Sequence, residues 1–205
     1  MSPHGQQKYQ VRFDHGVAGA ARVASGAHVV VVVDVLDGHG TLSRDETVRV
    51  VAGLAEVGVD ADVLLVTGAG AAPDVARHVV GRQARRGDRA LVAIVAAGAV
   101  EADGFRPAVE DQLAAGAVVD ALAAAGIDFS SPEAAVACAA AVSLRGARSH
   151  LLTASSSAVE LTSTGREEAL VAARSQPAVA IVHRAPAGAD SVVRAGAHGE
   201  QSGGA

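Results

Sequence analysis

Two acids and a histidine follow the most hydrophobic stretch of the sequence. Residues 28–41 read HVVVVVDVLDGHGT, so Asp34, Asp37 and His39 come after five consecutive valines. Burying a carboxylate beside such a stretch is unfavourable unless a cation or hydrogen-bond donors contact it. Asp34 is therefore a candidate metal ligand or catalytic residue. The alternative is that it caps the following helix or lies solvated at the end of the strand.

Further acids follow other apolar stretches of the chain. Mg²⁺ is usually bound by one or two carboxylates together with water and a substrate phosphate. Asp34 with Asp111 or Glu110 would provide such a set. Glu110 and Asp111 open a predicted helix, where acids also occur simply to balance the helix dipole. The acids near predicted strand ends are Asp34, Asp37, Glu101, Asp103, Glu110 and Asp111.

A glycine-containing turn, residues 68–70 (GAG), begins a predicted helix. Backbone amides at a helix start can bind a phosphate, and Arg106 could add positive charge there. The turn lacks the glycine spacing of a dinucleotide-binding fingerprint. The chain also has neither a Walker lysine pattern nor a Gly-x-Ser-x-Gly nucleophile motif. His15 and His39 lie in predicted loops and could transfer protons, with a solvated loop histidine as the alternative.

Apolar strands alternate with helices along the chain, and this order predicts how the acids come together. It predicts an α/β protein with a three-layer α/β/α architecture and a largely parallel or mixed sheet. Parallel strands would bring loops 37–43, 67–72 and 97–106 to one carboxyl edge of that sheet. Strands are predicted at 10–13, 28–36, 63–68, 90–96 and 177–182, helices at 17–24, 44–57, 68–81, 107–125, 132–144 and 164–174, and no regular structure at 145–157.

Composition excludes several classes of protein. The chain has 17 basic and 22 acidic residues and a net charge of −5, without the clustered basic face that binds nucleic acid. Its single cysteine, Cys138, excludes an internal disulfide and a multi-cysteine metal site. No apolar stretch has the length of a membrane span, and the first residues lack the apolar core of a secretion signal. We therefore expect a cytoplasmic protein that binds neither nucleic acid nor membranes.

The length and composition of the chain limit the number of domains and the kind of core. The chain has 205 residues, and its hydrophobic residues are mostly alanine and valine. A core of small side chains requires close packing of helices on the sheet. The pattern predicts one domain over residues 1–184 and a flexible Gly/Ala-rich tail over 185–205. Helices rich in small residues could also pack against a second subunit, so a homo-oligomer is one alternative.

Short segments such as VRFDHG (11–16), VVVDVL (31–36) and GFRPAVED (104–111) lie along nearly the whole chain. In the same order, they resemble segments of the 2-phosphosulfolactate phosphatase (ComB-like) family. The opening VRFDHG resembles the family's VRF-acid-x-G segment, and VVVDVL around Asp34 resembles its VxDVL segment. Each segment is short, and their shared order makes the combination fairly specific. The matching segments are residues 11–16, 31–36, 96–98, 104–111, 115–117, 131–134 and 165–167.

The resemblance implies a magnesium-dependent phosphatase that acts on a small phosphorylated sulfo- or carboxy-acid. It implies that Asp34, Glu110 and Asp111 are the acidic residues of the site, with Asp34 and Asp111 as ligands of Mg²⁺. The reaction would be attack of a metal-oriented water on phosphorus. The residues expected to bind or border the small anionic substrate are Thr41, Gly98, Arg106 and Arg166.

The sequence departs from the family pattern on the side that would face the phosphate. After VxDVL the family carries a Ser/Arg-x-x-Thr-Thr/Ser run, of which only Thr41 has a match, and the family's Asn-Gly loop is missing. One alternative is a related enzyme with a different reaction on a small acid, in which Asp37 orients His39 as an acid–base beside Asp34. A non-catalytic binding protein is the other alternative.

Overall fold

The computed structural model describes residues 3–175 and 180–184. The strands are β1 (Val11–His15), β2 (Val29–Val33), β3 (Asp62–Val66), β4 (Val92–Ala96), β5 (Ala99–Glu101), β6 (Gly104–Arg106) and β7 (Ala180–Arg184). The α-helices are α1 (Gly16–Val23), α2 (Arg44–Ala52), α3 (Ala72–Arg86), α4 (Val109–Ala124), α5 (Pro132–Ser143), α6 (Arg148–Ala154), α7 (Ser156–Ser163) and α8 (Glu167–Ser175). Short 3₁₀ turns cover Pro3–Gly5, Ala69–Ala71 and Arg145–Ala147.

The main sheet has the strand order β1-β4-β2-β3-β7. β1, β4, β2 and β3 run parallel to one another, and β7 pairs antiparallel with β3. A separate hairpin is formed by β5 and β6. The predicted three-layer α/β/α fold with a mixed, largely parallel sheet is confirmed.

The valines of β2 explain why this sheet is covered on both faces. All five are fully buried, and alternate side chains point to opposite faces of a strand. Val29, Val31 and Val33 join a cluster with α3, α4 and α5, whereas Val30 and Val32 join a cluster with α1 and α2. Because both faces need apolar side chains, the sequence shows a continuous valine run rather than an alternating pattern.

Several predictions of secondary structure are wrong. β2 ends at Val33, before Asp34, and α2 ends at Ala52, five residues earlier than the predicted helix. The predicted loop 97–106 contains the β5–β6 hairpin. Residues 145–157 contain α6 and the start of α7 instead of irregular chain, because Ser155 caps α7 by accepting a hydrogen bond from the Ala158 amide.

The carboxyl ends of β2, β3 and β4 lie side by side, so the loops that follow them share one edge of the sheet. In the part of the chain that the structure describes, no helix is both long and apolar enough to cross a membrane. The predicted tail, 185–205, lies outside the described residues, as do residues 177–179 of the last predicted strand. The division into a 1–184 domain and a tail therefore stays a prediction.

Candidate functional site

Asp34, His39 and Asp111 come together at the shared carboxyl edge of the sheet. Asp34 follows β2, His39 lies in the loop before α2, and Asp111 is in the first turn of α4. Each contributes one nitrogen or oxygen ligand atom, and these atoms all lie within 4.8 Å of one another. All three residues are buried, with exposed fractions of 5% or less. This spacing fits three ligands of one divalent cation.

The carboxylate of Asp111 is held in place by two backbone amides. Its Oδ1 accepts a hydrogen bond from Val35 N at 2.8 Å, and its Oδ2 accepts one from Gly98 N at 2.9 Å. These bonds tie the start of α4 to the chain leaving β2 and β4. Hydrogen bonds of this kind orient a ligating carboxylate while leaving its other lone pairs available.

Gly98 contributes its backbone to this arrangement. Its φ is +61°, and an added Cβ would lie 2.7 Å from the carbonyl oxygen of Arg106 and 2.6 Å from the ring of Phe105. Only glycine therefore fits without distortion. The resemblance implied that Gly98 lies near the substrate or shapes its pocket. In the structure, the Gly98 amide donates to Asp111 Oδ2.

The negative charge of the Asp34 carboxylate has few compensating contacts around it. Its Oδ1 is buried without a hydrogen bond, and the nearest cationic atom, Arg44 Nε, is 3.7 Å away. Burial raises the pKa of Asp34 to about 7, an effect that Arg44 opposes and the nearby acids reinforce. Burial likewise raises the pKa of Asp111 well above its usual range, with further increases from Asp34 and Glu110. A bound cation would relieve this crowding of acids.

His39 is buried in a form suited to metal binding. Its Nδ1 has no hydrogen-bond partner, and burial lowers the pKa of its imidazole despite the opposing effect of Glu110. A lowered pKa favours the neutral ring, which is the form that binds metal ions. The ring therefore offers a free nitrogen lone pair to the cluster.

The loop around His39 is fixed from both sides by the α7–α8 corner. Glu160 Oε1 accepts a hydrogen bond from Gly40 N at 3.2 Å, and the guanidinium of Arg166 donates to the carbonyl oxygen of Gly38. Leu36 packs against α7 through Leu161. Sequence reasoning missed Glu160 because the start of α7 fell in a segment for which no regular structure was predicted.

The remaining predicted site residues support the loops rather than line the cluster. Asp37 Oδ1 accepts a hydrogen bond from the Arg44 amide at the start of α2. Nδ1 of His39 donates no hydrogen bond to Asp37 among the described residues. Thr41 Oγ1 donates to Val100 O at 3.0 Å, which ties the loop to β5. Arg106 forms ion pairs with Glu101 and Glu160.

A cavity of about 400 Å³ adjoins the cluster, and Glu110 connects the two. Glu110 is 5% exposed, and neither of its carboxylate oxygens has a hydrogen-bond partner. It neighbours Asp111 in sequence and influences the pKa of both aspartates and of His39. The glycine turn 68–70, proposed from the sequence as a phosphate site, lines this cavity. Arg148 and Arg174, which the sequence did not reveal, line it as well.

No known family model matches the chain, and no curated protein matches its sequence. The resemblance to the ComB-like family therefore stays a prediction, and the functional argument depends on the site itself.

Proposed function

We propose that this protein is a divalent-cation-dependent, phosphatase-like hydrolase that acts on a small phosphorylated sulfo- or carboxy-acid. The observation that supports this most is the buried cluster of Asp34, His39 and Asp111, whose ligand atoms lie within 4.8 Å of one another. The substrate class comes from the sequence resemblance to 2-phosphosulfolactate phosphatases.

The chemistry of the three ligands bears on which cation is bound. Two carboxylates suit Mg²⁺, whereas an imidazole nitrogen also suits Mn²⁺ and Zn²⁺. Mg²⁺ remains the cation expected from the resemblance, and all three ions belong in the test. When bound, such a cation would offset negative charge on the phosphoryl oxygens and assist attack by water.

The protein's own residues would supply orientation and proton transfer. The amides of Val35 and Gly98 hold Asp111, and the burial of the cluster keeps bulk water away. The glycine turn 68–70 borders the cavity where a phosphate would lie. In the reaction, water would add to phosphorus and pass one of its protons to a phosphoryl oxygen as the P–O ester bond breaks. The leaving alcohol oxygen would take a proton that we assign to Glu110, and Glu110 would regain a proton from the phosphate product.

The proposal is tested by hydrolysis of a panel of small phosphomonoesters, including phosphosulfolactate and phospholactate, with Mg²⁺, Mn²⁺ or Zn²⁺ and with a chelator. We expect metal-dependent turnover that Asp34→Asn reduces at least a hundredfold, since this change removes a charged ligand without altering shape. Asp120→Asn is the matched control, because Asp120 pairs with Arg145 at the surface. Absence of turnover by the wild-type protein with every cation would contradict the proposal.

A non-catalytic binding protein is the second candidate. The side chains of Arg148 and Arg174 that line the cavity favour it, because guanidinium groups suit a bound small acid with or without hydrolysis. Ligand binding without turnover would support this candidate over the hydrolase.

A further inference from the structure

Arg44 occupies a position at which its own helix does not favour a positive charge. It is the first residue of α2, directly after the N-cap Ser43. The dipole of a helix stabilises acids in the first turn and disfavours cations there, and Asp45 and Glu46 follow this rule. The reason for an arginine at this position therefore lies outside α2, and its side chain extends to the chain that leaves β2.

The guanidinium of Arg44 lies beside Asp34 without pairing closely with it. Its Nη2 donates a hydrogen bond to Val35 O at 3.0 Å. Its Nε is 3.7 Å from Asp34 Oδ1, and both of these atoms are buried without a hydrogen bond. A strong pair between an arginine and a carboxylate has a distance of about 2.8 Å. The carbonyl of Val35 therefore fixes Arg44, and the lone pairs of Asp34 Oδ1 stay available for a cation.

Part of the Arg44 side chain is accessible to a ligand. Its exposed fraction is 22%, compared with 7% for the side chain of Asp34. Nε is buried and Nη2 is bonded to Val35, whereas Nη1 is not buried and forms no hydrogen bond within residues 3–175 and 180–184. The guanidinium therefore extends from the cluster towards the surface and presents Nη1 to an incoming group.

A bound cation would change what Arg44 can hold. In the metal-free protein, the carboxylates of Asp34 and Asp111 disfavour an anion next to Arg44. A divalent cation bound to these two carboxylates would balance their charge. Arg44 and the open coordination positions of the cation would then both attract an oxyanion.

We propose that Arg44 is a further substrate-binding residue, whose Nη1 holds one oxygen of the substrate's phosphoryl group while the cation holds another. The identification of the anion as a phosphoryl group rests on the proposed function. The order of binding follows from the charges: the cation binds first and the anion second. Because such coupling is reciprocal, the bound anion also tightens the binding of the cation.

The test is calorimetric titration of the full chain with inorganic phosphate, with Mg²⁺ or Mn²⁺ present and with a chelator. We expect phosphate to bind at least tenfold more tightly with the cation than with the chelator. Acetate in place of phosphate tests whether Arg44 binds a carboxylate instead, and tighter binding of acetate would overturn the phosphoryl assignment. Equal phosphate affinities with cation and chelator, or no phosphate binding at millimolar concentrations, would overturn the proposal.

Arg44→Met removes the charge and keeps a long side chain. With the cation present, it should weaken phosphate binding at least tenfold. Its affinity for the cation alone should be unchanged or higher, because a positive charge beside Asp34 is lost. A purely structural role for Arg44 would instead weaken both affinities. Arg49→Met, at an exposed position of the same helix, is the matched control and should retain both affinities.

A second variant keeps the inference testable if Arg44→Met folds poorly. Arg44→Lys retains the charge without the planar fork and should still weaken phosphate binding. Unchanged phosphate affinity in an Arg44 variant with native circular dichroism, or joint loss of both affinities in such a variant, would refute the role of Arg44.

The outcomes separate this inference from the proposed function. Cation-dependent phosphate binding that Arg44→Met weakens, in a protein that hydrolyses no phosphomonoester, would uphold the role of Arg44 and reject the hydrolase. Metal-dependent turnover with an unchanged KM in Arg44→Met would uphold the hydrolase and reject the role of Arg44.

Discussion

At the scale of single residues, the site is defined by polar atoms whose partners are missing or distant. Asp34 Oδ1 and His39 Nδ1 are buried without hydrogen bonds, while Asp111 has an amide on each oxygen. The sequence already indicated Asp34, because a carboxylate directly after five buried valines needs compensation. It could not indicate that Asp37 would instead bind the amide of Arg44, since that depends on how the loop turns.

The raised pKa of Asp34 predicts how the metal-free protein responds to pH. Burial raises the pKa to about 7 in the folded state, whereas in the unfolded chain it stays near the usual 3.8. The folded state therefore holds this proton longer, and its stability falls as pH rises from about 4 through 7. A shift of this size corresponds to at most about 4 kcal/mol of unfolding free energy.

We therefore expect Asp34→Asn to raise the Tm of the chelator-treated protein at pH 8 and to change it little at pH 4. Thermal unfolding followed by circular dichroism at both pH values measures this, with Asp120→Asn as the surface control. A Tm difference that is the same at both pH values would show that Asp34 titrates normally.

The backbone at Gly98 gives a second residue-scale prediction. Gly98→Ala forces a Cβ against the Arg106 carbonyl and the Phe105 ring at a φ of +61°. We expect a loss of about 1–3 kcal/mol in the free energy of unfolding, measured by urea denaturation. Gly26→Ala is the control, because Gly26 has a φ of +71° and nothing lies within 4 Å of an added Cβ. This variant therefore measures the cost of the positive φ without the crowding. Equal losses in the two variants would argue against the crowding at Gly98.

At the scale of elements, the helices and strands that were predicted correctly are those with a strong apolar pattern in the sequence. The buried strands and α4 have long apolar runs and were predicted within a few residues. The β5–β6 hairpin has strands of three residues, too short for a periodic signal, and α6 has no buried residue to give it one. The residues missed at the site, Arg148 and Glu160, belong to α6 and α7, which explains why the sequence did not reveal them.

The α7–α8 corner gives an element-scale prediction about the loop that carries His39. Glu160 accepts a hydrogen bond from Gly40 N and forms an ion pair with Arg106. Removal of its carboxylate should therefore loosen the loop that carries His39. We expect Glu160→Ala to weaken divalent-cation binding about tenfold with little change in secondary structure. Glu168→Ala, at an exposed position in the first turn of α8, is the matched control. Retention of full metal affinity by Glu160→Ala would mean that this contact does not position His39.

At the scale of the whole molecule, the parallel sheet is what makes the site. β2 lies between β3 and β4, so the chain leaving three adjacent strands meets the first turn of α4. Alternating strands and helices predicted this convergence from the sequence. The cavity was not predictable in the same way, because its walls also come from α6 and α8, whose packing no local pattern specifies.

The most direct test of the account is calorimetric titration of the metal-free protein with Mn²⁺, Mg²⁺ and Zn²⁺, performed on wild type, Asp34→Asn and Asp120→Asn. The account predicts one binding site per chain for at least one of these ions in wild type and Asp120→Asn, and its loss in Asp34→Asn. No binding by wild type, or equal binding by Asp34→Asn, would contradict the assignment of Asp34, His39 and Asp111 as a metal centre.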